Sequence, residues 1–399
     1  MRKYLTSAAL VGALTISLLP HAEALDPSQV ASTFNRLVNN SILEDSSIVV
    51  IDESNNQIVY EHNSTSLRKP ASVQKLFTAT AAYTYLDPSQ VFTTSVSVGL
   101  EPRSIVIHGS LDPWFALDNR VATKMGRTSL PRIEFNSLSA LKENNSGSIK
   151  HSTIYYSNLY SQDVANLNSF YRKHGVIPTF KRVTDADAEL LSSSEILTSN
   201  SPTLREILDW TLTWSDNMLA ERIARLASVA AGNSLDDAGV AKTFKTLLSE
   251  LNIDGSNIVI KDASGLSRDN RVNARQVAEL LLRIKGDPKF APLLAGLPVG
   301  GVTGTLRHRF IETAPEAVGL VKAKTGTLNG TANLAGYVEA GDREYAFVII
   351  ADRLKKTNAS SKLARATVDR ILGKLAAPLV AATPIEEGTS ELLPTLNAQ

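Results

Sequence analysis

The segment GLVKAKTGTLNGTANLAGYVEAGDREYAFVIIADR (residues 319–353) reads as three strands joined by two turns. Apolar and β-branched residues fill the runs, and LNG and AGDRE carry the residues that tight turns favour. Working outward, SIVVIDESNNQIVYEH (residues 47–62) reads as a hairpin around ESNN. KPASVQKLFTATAAYTYL (residues 69–86) reads as a helix, with Pro70 near its first turn and apolar positions at Val73, Leu76, Phe77 and Ala79. Helical patterns recur over residues 201–231, 235–251, 274–282 and 360–375. The two ends of the chain therefore share the strands of one sheet flanked by helices, an α/β (α+β) arrangement.

Between these parts the character changes. From about residue 93 to 198, short β-like runs such as RSIVIHGS and STIYYS alternate with polar turns, and one helix, SQDVANLNSFYRKHG, interrupts them. This stretch is expected to be an inserted, mainly β subdomain. The chain then divides into a leader (1–24), a first part of the main domain (25–92), the insert (93–198), a second part (199–378) and a mobile tail (379–399).

The leader opens with Arg2 and Lys3, runs apolar to Leu19 and reaches Ala22, Glu23 and Ala24. That order describes a cleavable secretory signal, and the apolar run is short of the roughly 20 residues a spanning helix needs. Export is expected, with the membrane at most a peripheral partner. The protein has 399 residues, 41 Lys and Arg against 40 Asp and Glu, and no cysteine. Charge balance gives no support to nucleic-acid binding. Without cysteine there are no disulfides and no thiol chemistry. The six histidines show no metal-ligand spacing, and no GxSxG elbow or nucleotide loop is present, so neither metal nor cofactor is expected.

Three short motifs remain, in order: Ser72-x-x-Lys75, Ser215–Asp216–Asn217, and Lys324–Thr325–Gly326–Thr327. On a helix, Ser72 and Lys75 are neighbours about 5–6 Å apart at Cβ. Serine needs a partner to take its proton, and lysine can do so only if burial and a second cation, for which Lys324 is a candidate, lower its pKa. A serine in the first turn also places its backbone N–H where it lacks an intrahelical partner. The Ser-x-x-Lys spacing recurs at Ser66–Lys69 and Ser139–Lys142, where solvated loops account for it. Ser54-x-Asn56 fits the hairpin turn. Ser215 can relay a proton to a leaving amine, and the Asn217 amide can hold both lysine and a substrate carbonyl. Gly326 on a strand leaves room for a substrate backbone, while Lys324, Thr325 and Thr327 offer a cation and hydroxyls to a carboxylate.

The ordered set resembles that of class A β-lactamases and penicillin-binding proteins. WSDNMLAERIAR, DASGLSRDNRV, GGVTGTLRHRF and AKTGTLNGTANLAGYV narrow the resemblance to D-alanyl-D-alanine carboxypeptidases of the DacB type, peptidase family S13. That resemblance implies a serine β-lactamase/penicillin-binding (DD-peptidase) fold and a periplasmic serine carboxypeptidase or DD-endopeptidase acting on peptidoglycan stem peptides. It implies Ser72 as nucleophile acylated also by β-lactam antibiotics, Lys75 as base, and Ser215 and Asn217 as the proton and substrate network. Lys324, Thr325, Gly326 and Thr327 would bind substrate, and the backbone N–H groups of Ser72 and Thr327 would form the oxyanion hole. The superfamily leaves open which group takes the first proton. The gap from Lys75 to Ser215 is shorter than the family's usual insertion, implying that one inserted domain is reduced or missing. IHGSLDPWF (residues 107–115) resembles part of that insertion and gives Asp112 no catalytic role. The alternatives are a secreted serine β-lactamase, for which no ExxLN-type loop is found, and a non-catalytic peptidoglycan-binding scaffold of the same fold.

Overall fold

A computed structural model describes residues 25–39 and 41–376 of the protein. The expected leader and tail fall outside the described residues.

The central sheet contains β1 (Ser47–Asp52), β2 (Gln57–His62), β10 (Val321–Leu328), β11 (Thr331–Ala340) and β12 (Arg343–Ala351) in the order β10-β11-β12-β1-β2. All its pairings are antiparallel. The N-terminal hairpin thus joins the C-terminal meander through β1 and β12, as expected from sequence. Asn56 at φ 59 supplies the left-handed residue of the first turn. Side chains alternate between two cores: Tyr345, Phe347 and Ile349 of β12 face one, and Ala346, Val348 and Ile350 the other. Burial on both faces is why EYAFVIIA reads as a continuous apolar run rather than an alternating one.

Helices α1 (Pro27–Val38) and α12 (Asn358–Leu375) cover one face. The opposite face carries α2 (Lys75–Tyr85), α7 (Leu204–Trp214), α8 (Asn217–Ala230), α9 (Asp237–Glu250), α10 (Ala274–Gly286) and the short α11 (Ala291–Ala295). The helical pattern over 201–231 breaks at Ser215 and Asp216. Ser215 adopts a left-handed conformation (φ 61) that ends α7, and the Asp216 carboxylate caps α8 by accepting from Leu219 N at 3.1 Å.

The intervening chain forms a second sheet with its own core. Its strands are β3 (Val91–Gly99), β4 (Ser104–His108), β7 (His151–Ser157), β8 (Ile177–Arg182) and β9 (Ser192–Thr203), ordered β8-β7-β4-β3-β9. The short β5 (Phe115–Ala116) and β6 (Thr128–Ser129) pair beside it. Four helices accompany these strands: α3 (Asn119–Met125), α4 (Leu130–Glu143), α5 (Ser161–Lys173) and α6 (Asp185–Leu191). The expectation of a mainly β insert with one helix is corrected accordingly. β4, β7 and β8 run parallel, and parallel neighbours need crossovers, which α4 and α5 provide. Ser139 and Lys142, read as a solvated loop, are instead on the exposed face of α4. Among the described residues no helix is long and apolar enough to cross a membrane.

Candidate active site

The turn that carries Ser72 is built before α2 begins. Pro70 (φ −68) leads into a 3-10 turn, Ala71–Gln74, which continues directly into α2 at Lys75. Ala71 holds a positive φ of 48, so the chain enters this turn in a costly conformation that its surroundings must enforce. Three contacts do so. Asn333 on β11 donates from Nδ2 to Lys69 O at 2.9 Å and Pro70 O at 2.8 Å. Asp352 accepts from Lys69 N at 3.0 Å and from buried Arg68 at 3.3 Å. The Gln74 side-chain amide donates to Asp262 O.

Gly326 acts in the same assembly, not by leaving room for substrate. A Cβ there would lie 2.7 Å from Pro70 O and 3.2 Å from Val73 Cγ2. The glycine is what lets β10 close on the turn that carries Ser72.

Lys75 is 0% exposed, and its Nζ reaches Ser72 Oγ at 3.0 Å, Asn217 Oδ1 at 2.7 Å and Ser264 O at 2.8 Å. These partners use all three donors of an ammonium. Burial lowers its pKa to about 8, while the carboxylates of Glu221, Asp216 and Asp262 work in the opposite direction. Lys324 is also 0% exposed and is lowered well below its ordinary value, first by burial and then by the charge of Lys75. Burial is the first cause at each lysine, and repulsion between the two ammonium groups acts against charging both at once. Burial, opposed by carboxylates, sets Lys75.

The loop supplying Ser264 O is fixed from α8. Glu221, one turn beyond Asn217 on the same helix face, accepts from Ala263 N at 3.1 Å and Ser264 N at 2.8 Å. Asp262 accepts from Gly265 N and Asn270 Nδ2, both at 2.8 Å. Nothing in WSDNMLAERIAR or DASGLSRDNRV marks Glu221 or Ser264 individually. The i, i+4 spacing of Asn217 and Glu221 was the available signal.

Ser72, Ser215, Asn217, Thr325 and Thr327 line one cleft of about 400 Å³. Thr305, His308, Arg309 and Arg365 complete its walls and were not singled out from sequence. Ser215 lines the cleft, while the hydrogen bonds of Lys75 Nζ go to Ser72, Asn217 and Ser264. Thr325 Oγ1 lies 2.9 Å from Thr305 Oγ1. Arg309 is committed to Asp369, with Nε 2.9 Å from Oδ1 and 3.0 Å from Oδ2.

β10 is an edge strand whose outer side is half covered. Gly300 N donates to Val321 O at 2.8 Å and Ala323 N to Pro298 O at 2.9 Å, and this cover ends there. Backbone groups alternate along a strand, so the next outward-facing pairs belong to Thr325 and Thr327. They face the cleft edge, where an extended chain can pair with them.

The sequence model of the D-Ala-D-Ala carboxypeptidase 3 (S13) family matches residues 33–154 and 157–375. The chain belongs to that family. Carboxypeptidase DacB of Mycolicibacterium smegmatis is 34% identical over 204 residues, 50% of this chain and 44% of that protein. The chain thus spans less than half the length of the curated relatives it matches. Penicillin binding protein 4 (dacB) from Haemophilus influenzae superposes with a TM-score of 0.63 at 18% identity, covering 87% of this chain and 98% of that one. Bd3459, a predatory peptidoglycan endopeptidase from Bdellovibrio bacteriovorus, gives 0.55 at 15% identity over 84% of this chain and 94% of that one. At those identities the structures establish a shared fold, with the S13 membership coming from the family match.

Proposed function

We propose that the protein is an exported serine-type D-Ala-D-Ala carboxypeptidase, with DD-endopeptidase capacity, acting on peptidoglycan stem peptides in the periplasm. The observation that carries this reading is the contact of a fully buried lysine with the cleft-lining serine, Lys75 Nζ to Ser72 Oγ at 3.0 Å.

With its pKa near 8, Lys75 is neutral in about a tenth of molecules at pH 7. The neutral amine takes the Ser72 proton as Oγ attacks the carbonyl of the penultimate D-alanine. The Ser72 and Thr327 N–H groups stabilise the oxyanion, each such donor being worth about 10²–10³ in rate. Asn217 holds Lys75 through Oδ1 and leaves its NH₂ for the substrate carbonyl. Collapse of the intermediate expels the terminal D-amino acid, whose amine receives the proton through Ser215. Water then hydrolyses the acyl-enzyme. The terminal carboxylate is held by Lys324, Thr325 and Thr327, with Gly326 keeping that strand against the nucleophile turn. A β-lactam carries the same carboxylate and a reactive carbonyl, and acylates the same serine.

The deciding experiment labels purified protein with fluorescent penicillin and assays D-alanine release from a stem pentapeptide. A stable adduct mapping to Ser72, lost in Ser72→Ala, is expected. Undiminished labelling of Ser72→Ala or no labelling at all refutes the assignment. Rapid drug hydrolysis without peptide cleavage marks a β-lactamase instead.

A further inference from the structure

All three tryptophans of the protein, Trp114, Trp210 and Trp214, lie in one aromatic ladder. Trp114 comes from the inserted unit and meets Trp210 of α7 edge to face at 6.2 Å, and Trp210 meets Trp214 at 5.6 Å. Arg127, also from the insert, sits 4.2 Å from the Trp114 ring centre and 5.9 Å from that of Trp210. Its guanidinium reaches Asp216 Oδ2 at 3.4 Å, and the side chain is only 6% exposed. Asp216 lies between Ser215 and Asn217 and caps α8, so whatever fixes Asp216 fixes both neighbours.

The insert presents Arg127 rigidly. Buried Asp112 accepts from Trp114 N and from Thr128 Oγ1, both at 2.7 Å, tying the two segments that flank Arg127. Trp114 Nε1 donates to Gly126 O at 3.2 Å, and β5 pairs with β6 across the same junction. A second tie runs from the insert to α8 itself, where buried Arg222 pairs with buried Asp163 at 2.6 Å.

We propose that Arg127 is a positioning residue through which the inserted unit holds the Ser215–Asp216–Asn217 turn in register with Lys75. The inference rests on the active-site reading above. It has an electrostatic consequence that simple loss of packing lacks. The carboxylates bearing on Lys75 are Glu221 and Asp216 from α8 and Asp262 from the loop between α9 and α10, and the other titratable group beside it is Lys324 of β10. Arg127 neutralises one of these carboxylates. Without it the Asp216 carboxylate favours the Lys75 ammonium more strongly, so base formation requires a higher pH.

The test compares wild type, Arg127→Met and Arg127→Lys in Ser72 acylation rate by fluorescent penicillin against pH, with tryptophan emission and thermal unfolding alongside. Arg127→Met is expected to acylate at least tenfold more slowly at pH 7, with its acid limb moved up by roughly half a pH unit or more and its tryptophan emission changed. Arg127→Lys keeps the charge without the planar stack. Its limb stays near wild type while its rate falls severalfold and its emission changes. A folded Arg127→Met with wild-type rate and limb overturns the inference, as does a lowered melting temperature with the limb unmoved. If Arg127→Met does not fold, Arg127→Lys decides, and wild-type rate and emission in it overturn the inference. Failure of wild type to label overturns the active-site reading and this inference with it. Labelling of wild type with unaltered variants overturns the inference alone.

Discussion

Gly265 offers the sharpest test of how Ser72 is held. Its φ is +82, which costs a non-glycine residue roughly 1–2 kcal/mol. A Cβ at this position would fall 1.8 Å from Ala71 O and 3.1 Å from Ser72 N. Ordinary contact begins well beyond 3 Å, so in Gly265→Ala the Ser264–Gly265 loop and the Ala71–Ser72 peptide must part by more than about 1 Å. The neighbouring peptide cannot yield cheaply, since Ala71 already sits at φ 48. The same loop gives Lys75 its bond to Ser264 O at 2.8 Å, so parting the two segments disturbs Ser72 and Lys75 together. Misplacement of reacting groups by about 1 Å costs on the order of 10²-fold in rate. Gly265→Ala should therefore acylate with penicillin about 10²-fold more slowly and unfold at a lower temperature. Gly286→Ala is the control, because a Cβ there meets nothing within 4 Å. Near wild-type acylation by Gly265→Ala would refute the claim that this loop sets the position of Ser72.

Other consequences can be checked on the same material. Asn333→Ala removes the donor to Lys69 O and Pro70 O and leaves Pro70 O with Val73 N at 3.3 Å, so urea unfolding should show a loss of about 1–3 kcal/mol, with slower acylation. The wild-type acylation rate should climb about tenfold per pH unit below neutrality and level off near pH 8, where Lys75 loses its proton; a flat profile across pH 6–9 would remove Lys75 as base. Glu53, whose side chain is 10% exposed, is pushed up to about 8 by burial and by Glu344, against the pull of Lys285. Its folded value lies above its unfolded one, so stability is fully present at low pH and is lost as pH rises towards 8. Glu53→Gln should accordingly be neutral near pH 4 and stabilising by about 1–3 kcal/mol near pH 8 in chemical denaturation.

The central sheet was legible because both signals that define it are local. Each strand is an apolar run closed by turn residues, and residues 47–62 and 319–353 have the same character. The three motifs were legible for the same reason, since a 3-10 turn, a helix junction and a strand each hold their residues within four positions. Apart from α5, the helices of the inserted unit were missed because LPRIEFNSLSALKE and its neighbours lie among many polar residues and beside the loop KENNSGS, although α4 buries Leu130, Ile133, Leu138 and Leu141. The supporting residues were hidden differently. Asn333 lies 263 residues from Pro70, Arg127 lies 89 from Asp216, and Ser264 lies 189 from Lys75. No periodicity links such pairs, and only the closed fold brings them together. The role of Gly326 was missed because its neighbour is a distant carbonyl of the protein itself.

Two buried lysines in one site also set an order of events. Burial penalises charge on each, and two ammonium groups side by side penalise each other. Three carboxylates favour charge on Lys75, whereas Lys324 donates only to Thr325 O at 3.2 Å among the described residues. Lys324 is therefore the lysine that gives up its proton more readily, and Lys75 keeps its own up to about pH 8. On the proposed mechanism a substrate carboxylate arriving beside Lys324 reverses that balance, because an opposite charge favours the ammonium. Once Lys324 is charged, its repulsion falls on Lys75 and lowers the proton affinity of the group that must act as base. The carboxylate then does more than anchor the peptide, since its arrival raises the share of Lys75 that is neutral and free to accept the proton when the carbonyl is in place. Masking the carboxylate removes both effects, so it slows acylation of bound substrate as well as weakening binding.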